Sequence, residues 1–301
     1  MDQVRPPRWT RLASRYGTAA LMIGMVPLVV IGVAVLTGLL EQLPEAMRRA
    51  TTPITVVALP LLAFGMAAAQ LPRPTTAEPR PLAAPVRGRV RALNSPADRV
   101  PSHGTHGFAQ TYAIDLVHEP EPGARPTFGG REAMRDPRAY PSFGRPVHAP
   151  ADGTVVRAVD GARDHRCRSN RLGLLLMALE GVAFQLRGAR GLMGNHLILR
   201  LSDDTHVAIA HLQRGSLRVD VGDEVRCGDV VAAVGNSGNS SEPHVHLQLM
   251  DGPRPASAVA LPFGFTDVVT DDDAPAAEPA ERLTVPSAAH PVHAGVASEP
   301  R

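Results

Sequence analysis

Residues 235–252 read GNSGNSSEPHVHLQLMDG. Glycine, asparagine and serine mark a loop, and the Val, Leu and Gln residues around the two histidines read as the strand it feeds. Strand side chains alternate faces, so His244 and His246 point the same way, roughly 6.5 Å apart along the strand. Two imidazoles on one face can serve as one metal ligand and one acid–base group. A solvated strand face that carries two histidines for no chemical reason is the competing reading.

Partners for the pair lie upstream. Zinc hydrolysis needs three protein ligands, commonly His and carboxylate, with a fourth position left open, together with a base and a group to stabilise the oxyanion. The segment SHGTHGFAQTYAIDLV holds His103, His106 and Asp115, and HVAIAHLQRGS holds His206 and His211. Around them, from about Ala84 to Asp267, short alternating runs (GTVVRAV, NHLILRL, THVAIAHL, DVVAAVG) are split by Gly, Asp and Asn turns. That pattern predicts an all-β domain of antiparallel sheets. Residues 172–187, LGLLLMALEGVAFQLR, break it with helical composition and read as an inserted helix or lip over the sheet.

Composition narrows the function. The 301 residues allow one large or two modest domains. All 31 basic residues are arginine, which removes lipoyl or biotinyl attachment, Schiff bases and P-loop phosphate binding. A net charge of +2 and 4% aromatic residues argue against a nucleic-acid partner. Cys167 and Cys227 are too few and too far apart for a zinc finger or a disulfide scaffold, and leave open two free thiols or one disulfide.

The N-terminal third has a different character. A basic arm, residues 1–17, carries Arg5, Arg8, Arg11 and Arg15; Thr18 to Leu40 then runs without a charge, the length of a membrane span. Pro53 to Leu71 is a second uncharged stretch with Pro60 inside it, and the two predict a two-helix membrane anchor (18–40 and 53–71). Arginines lie on both flanks of this hairpin, Arg73 and Arg80 among them, whereas its loop carries only Arg48 and Arg49. By the positive-inside rule that places both flanks in the cytoplasm. Residues 72–83 are rich in proline and threonine and predict an extended spacer. The segment 268–301, acidic and then rich in Ala and Pro, predicts a disordered tail in which His290 and His293 are solvated bystanders.

Taken in order, THGFAQTYAIDLV, RPVHAPADGTVVRAV, GNHLILRL, AHLQRGSLRVDVGDEVRCGDVVAAVGNSGNSSEPHVHLQLMDG and LPFGF resemble the landmarks of the M23 family of zinc metallopeptidases, the lysostaphin and LytM-like peptidoglycan endopeptidases. The resemblance covers roughly residues 84–267. It implies one zinc ion held by His106, Asp115 and His246, with His211 and His244 as catalytic histidines. His106 and Asp115 stand nine residues apart, where many members space the pair by four; the longer connection, ending in YAID, favours His106 over its rival His103. His118, His148 and His165 read as loop histidines and His196 and His206 as strand histidines, all without a role, while Asn195 and Tyr112 sit beside landmarks. Insertions at 118–143 and 161–193 are expected at the groove walls.

The resemblance implies a membrane-anchored zinc endopeptidase acting on peptidoglycan peptides, with its catalytic domain outside the cytoplasmic membrane, where that substrate lies. A regulatory partner from the division or wall-synthesis machinery is left open. A non-enzymatic member of the fold, binding wall or activating another hydrolase, is the alternative; such a member would be expected to lack ligands, and none is missing here. VDVGDEVRCGDVVAAVG also resembles turns of phosphocarrier and lipoyl-type domains, but a phosphohistidine carrier needs neither the Asp nor the HxH strand.

Overall fold

The computed structural model describes residues 8–71, 77–270 and 283–295. Three helices open the chain: α1 (Arg8–Leu36), the single turn α2 (Leu39–Gln42) and α3 (Glu45–Gln70). α1 and α3 fold back on one another as a hairpin, and α1 continues through the part of the basic arm that is described. Their contact is made of small residues. A Cβ on Gly24 would lie 2.5 Å from the Leu62 nitrogen, and one on Gly65 would lie 2.5 Å from the Leu21 nitrogen. Such close backbone approach is a packing mode of helices in lipid, where apolar side chains give no driving force for association. Ile23, Val30, Val33, Val56, Val57 and Leu59 face outward, exposed. Arg15–Leu36 and Glu45–Gln70 are each long and apolar enough to cross a bilayer.

The rest of the chain is a β-domain. Its strands are β1 (Arg80–Leu82), β2 (Gly88–Asn94), β3 (Ile114–His118), β4 (Met134–Arg135), β5 (Pro146–His148), β6 (Gly153–Val159) and β7 (Cys167–Arg168). After helices α4 (Arg171–Leu186) and α5 (Gly188–Met193) come β8 (Asn195–Arg200), β9 (His206–Leu212), β10 (Glu224–Val225), β11 (Val230–Ala233) and β12 (Val245–Met250). The last four are β13 (Ala260–Leu261), β14 (Phe263–Phe265), β15 (Val268–Thr270) and β16 (Val292–Ala294). The main sheet runs β10-β6-β8-β9-β12-β3-β2-β16-β15, with β13 beside β12, and every pair in it is antiparallel. β5 and β11 form a separate antiparallel pair, as do β4 and β7; β1 and β14 are parallel.

Alternation along the central strands divides the sheet into two faces. Ile114, Leu116, Leu197, Leu199, Val207, Ile209, Leu247 and Leu249 enter the main core. Ile198, Ala208, Ala210 and Met250 point to the other face, which is also the face of Asp115, His246 and Gln248. Ala210 and Ala208 are the cross-strand neighbours of His246 and Gln248 there.

Three expectations are corrected at the edges. Residues 80–82 of the spacer pair with β14, although 72–76 lie outside the described residues. The expected disordered tail supplies β15 and β16, and β16 pairs with β2; Val292 and Ala294 are buried while His293 is exposed, an ordinary half-buried strand pattern. Residues 271–282 and 296–301 of the tail are outside the description. His118 and His148 close strands β3 and β5 rather than lying in loops. The helical insertion falls where its composition puts it, as α4.

Candidate metal centre

Strands β3, β9 and β12 meet at the site. In register, His246 stands between Asp115 on one side and Ala210 on the other. Asp115 Oδ1 lies 2.8 Å from His246 Nδ1 and 3.4 Å from His244 Nε2; Asp115 Oδ2 lies 3.0 Å from His103 Nε2. Ligand atoms of His103, Asp115 and His246 all fall within 4.8 Å of one another. Asp115 is buried, and although burial alone raises a carboxyl pKa, the charges and hydrogen bonds of His103 and His244 hold it well below the usual range.

His106 is not part of this group, and the expectation that it is the first ligand gives way to His103. Its Nδ1 lies 3.0 Å from Thr111 Oγ1, and its backbone N–H donates to Ala69 O in the last turn of α3 (2.8 Å). Thr105 Oγ1 donates to the same carbonyl. Gly104, at φ 70°, turns the chain between the two histidines. Residues 105–106 are therefore drawn to the helix end, while Ser102 bonds the carbonyls of Gln110 and Ala113 and holds His103 against the start of β3.

The donor set fits a zinc ion. Two histidines and one carboxylate are a common zinc triad, and each histidine has its second nitrogen engaged: His246 Nε2 lies 2.9 Å from Gln248 Oε1, and His103 Nδ1 lies 3.0 Å from Ser102 Oγ. Such outer partners fix ring orientation in metal sites. Asn94 Nδ2 donates to Asp115 Oδ2 at 2.7 Å. Asn94 and Gln248 were not singled out from sequence, although Gln248 follows His246 at the strand period and was legible there.

His211 and His244 complete the cluster, their ring centroids 4.7 Å apart; that of His211 is 5.7 Å from the ring of His246. His211 Nδ1–H donates to Ser237 O (2.8 Å) and His244 Nδ1–H to Glu242 O (2.7 Å). Both tautomers are thereby set; the Nε2 of His244 lies 3.4 Å from Asp115 Oδ1. Strict alternation would turn His211 away from Ala210, into the core. Its φ of 62° instead swings the ring to the site face, a left-handed conformation that a non-glycine residue adopts at a cost. Burial, then the neighbouring charges of His244 and His246, push His211 well below its ordinary pKa. Burial also works against a charge on His244, but Asp115 outweighs it and the pKa rises.

The two insertions meet each other and the loop that precedes His244. β4 of one pairs with β7 of the other, Arg125 forms an ion pair with buried Glu242 at 2.8 Å, and Arg168 N–H donates to Ser241 O. Asn195, fully buried, ties Ala162 to Leu212. Tyr112 is half-buried and packs on the small-residue face. His196 and His206 lie in strands outside the cluster, and His165 bonds the carbonyls of Asn236 and Gly238. Cys167 is buried and Cys227 exposed, both free.

Residues 176–257 match the description of peptidase family M23. That stretch includes His211, His244 and His246 but not His103 or Asp115, which rest on the geometry above. Endolysin 2638A of Staphylococcus phage 2638A is 42% identical over 62 residues, 20% of this chain and 13% of its own length. Lysostaphin from Staphylococcus simulans is 19% identical over 50% of this chain and 41% of its own, with a TM-score of 0.29. A zinc-containing peptidase from Vibrio cholerae is 19% identical over 46% of this chain and 36% of its own, with a TM-score of 0.24. The chain thus spans well under half the length of these proteins.

Proposed function

We propose, from the match of residues 176–257 to peptidase family M23, that the chain is a membrane-anchored zinc endopeptidase that hydrolyses peptide bonds of peptidoglycan. One observation carries the reading: His103, Asp115 and His246 converge within 4.8 Å, with two further histidines of fixed tautomer beside them. We assign His103, Asp115 and His246 as ligands. Zinc bound there would supply Lewis acidity toward a peptide carbonyl and toward water.

The protein's own groups handle the protons. His211 stays neutral through burial and offers Nε2 as the base that accepts the proton of the attacking water, then returns it to the leaving amine. His244 has a proton on Nε2 only as imidazolium, the form that Asp115 favours, and donates it as a hydrogen bond to the developing oxyanion. The left-handed backbone at His211 holds the base in place at a cost in stability, as strained residues at active sites do.

The anchor is the helix hairpin. Its open end meets the β-domain through both helices: Thr18 Oγ1 donates to Ala256 O (3.1 Å) and Gln70 Nε2 to Gly104 O (3.1 Å). The domain is assigned to the wall side of the membrane because the substrate lies there; the flanking arginines oppose that orientation by the positive-inside rule. A phosphatase fused near residue 95 is active in this topology, and a cytoplasmic reporter there contradicts it. Incubation of the purified chain with peptidoglycan, followed by mass spectrometry of released fragments, yields new peptide termini. Glycan cleavage alone, or no release, rejects the activity.

A further inference from the structure

We infer that helix α4 lies on the bilayer surface and binds its lipid interface, holding the catalytic groove against the membrane; this rests on the membrane-anchored reading above. α4 has the composition of a core helix in an exposed place. Leu172 and Leu175 are 57% and 58% exposed, and Leu186 is exposed on the same face. With Ala183 they follow at i, i+3, i+11 and i+14, a single helical stripe. Only Arg171 and Glu180 are charged in the whole helix, and buried Arg168 pairs with Glu180. A water-facing helix would carry its charges on that outer face.

The occupant follows from continuity. α4 contacts α1, and a cavity of about 170 Å³ is lined by Leu21 and Gly65 of the hairpin, Phe108 of the histidine loop, and Gln185 and Leu192 of the insertion. The apolar stripe therefore continues the lipid-facing surface of the spans. Arg187 and Arg190 follow the stripe, exposed, and neither has an ion-pair partner among the described residues. An apolar helix face edged by arginine is the pattern of a helix lying in an anionic interface. The same end of the hairpin bonds residues 104–106, so the metal centre sits near the membrane. The substrate class follows: peptides of wall material next to the membrane rather than of distant layers.

The test uses the full chain with Cys227→Ser, reconstituted in phosphatidylglycerol-containing vesicles. Into it go Leu175→Cys, Val30→Cys or Val221→Cys, one at a time, each new thiol carrying an environment-sensitive fluorophore. The inference predicts strong quenching at position 175 by doxyl-labelled lipid and weak quenching by iodide, as at position 30, with the reverse at position 221. Iodide access at position 175 with lipid contact at position 30 overturns the α4 assignment alone; iodide access at both overturns the anchor as well. Shielding of position 175 from both quenchers, with disulfide cross-linking of two unlabelled Leu175→Cys chains through that position, assigns the face to a second copy instead and also overturns the inference. None of these readouts depends on peptidase activity.

Discussion

His246 and Asp115 are register partners on adjacent antiparallel strands, 131 positions apart in sequence, and His246 Nδ1 lies 2.8 Å from the Asp115 carboxylate. That pairing fixes the geometry of the centre, because a one-residue slip of either strand would turn that strand's site residue into the core. His103 is the third member. The expected outcome is that His103→Ala, Asp115→Ala and His246→Ala each lose zinc, measured by elemental analysis of purified protein, while His106→Ala keeps it. Zinc loss in His106→Ala with retention in His103→Ala would reverse the assignment.

Much of this was legible in the sequence. The HxH strand, the AHL strand and the YAID strand are period-2 segments, and their pairing follows once each has one apolar face. The choice between His103 and His106 was not legible. It depends on a turn at Gly104 and on hydrogen bonds to Ala69 in α3, contacts between segments that no local pattern connects. Alternation also misplaces His211, since the positive φ that brings it to the site carries no glycine to announce it. The strand at 292–294 was hidden by proline and alanine around a very short apolar alternation.

His211→Ala and His244→Ala separate chemistry from metal binding. Both variants are expected to retain about one zinc per chain and to lose turnover by roughly 100-fold or more, the scale of acid–base groups. Turnover and metal content are measured on the same samples. Unchanged turnover in either variant removes that residue from the mechanism.

Acid stability has a definite sign. Burial lowers the His196 pKa to about 4, against 6.5 for an ordinary histidine. Between those values the unfolded chain binds a proton that the native chain refuses, so stability falls as pH falls through this window. The loss from this residue reaches about 3 kcal/mol below pH 4. Denaturant titrations at pH 7 and pH 4 are expected to show a smaller difference for His196→Gln than for the parent, even if the variant is less stable throughout. Equal differences would contradict the assignment.

The thiols give a simple check on the insertion. Burial pushes Cys167 up to about 12, and it sits buried in β7, whereas Cys227 is exposed. One equivalent of a thiol reagent is expected to react with the native chain and two with the denatured chain. Two fast equivalents in the native state would place Cys167 at the surface.

The central claim is that one zinc ion, held by this chain, is required for peptide hydrolysis. Metal content and release of peptides from peptidoglycan, followed in a single preparation before chelation, after chelation and after zinc is returned, test it most directly. The account predicts about one zinc per chain, loss of hydrolysis with the metal and recovery on its return. A chain that binds no zinc, or that hydrolyses equally well without it, would contradict the account.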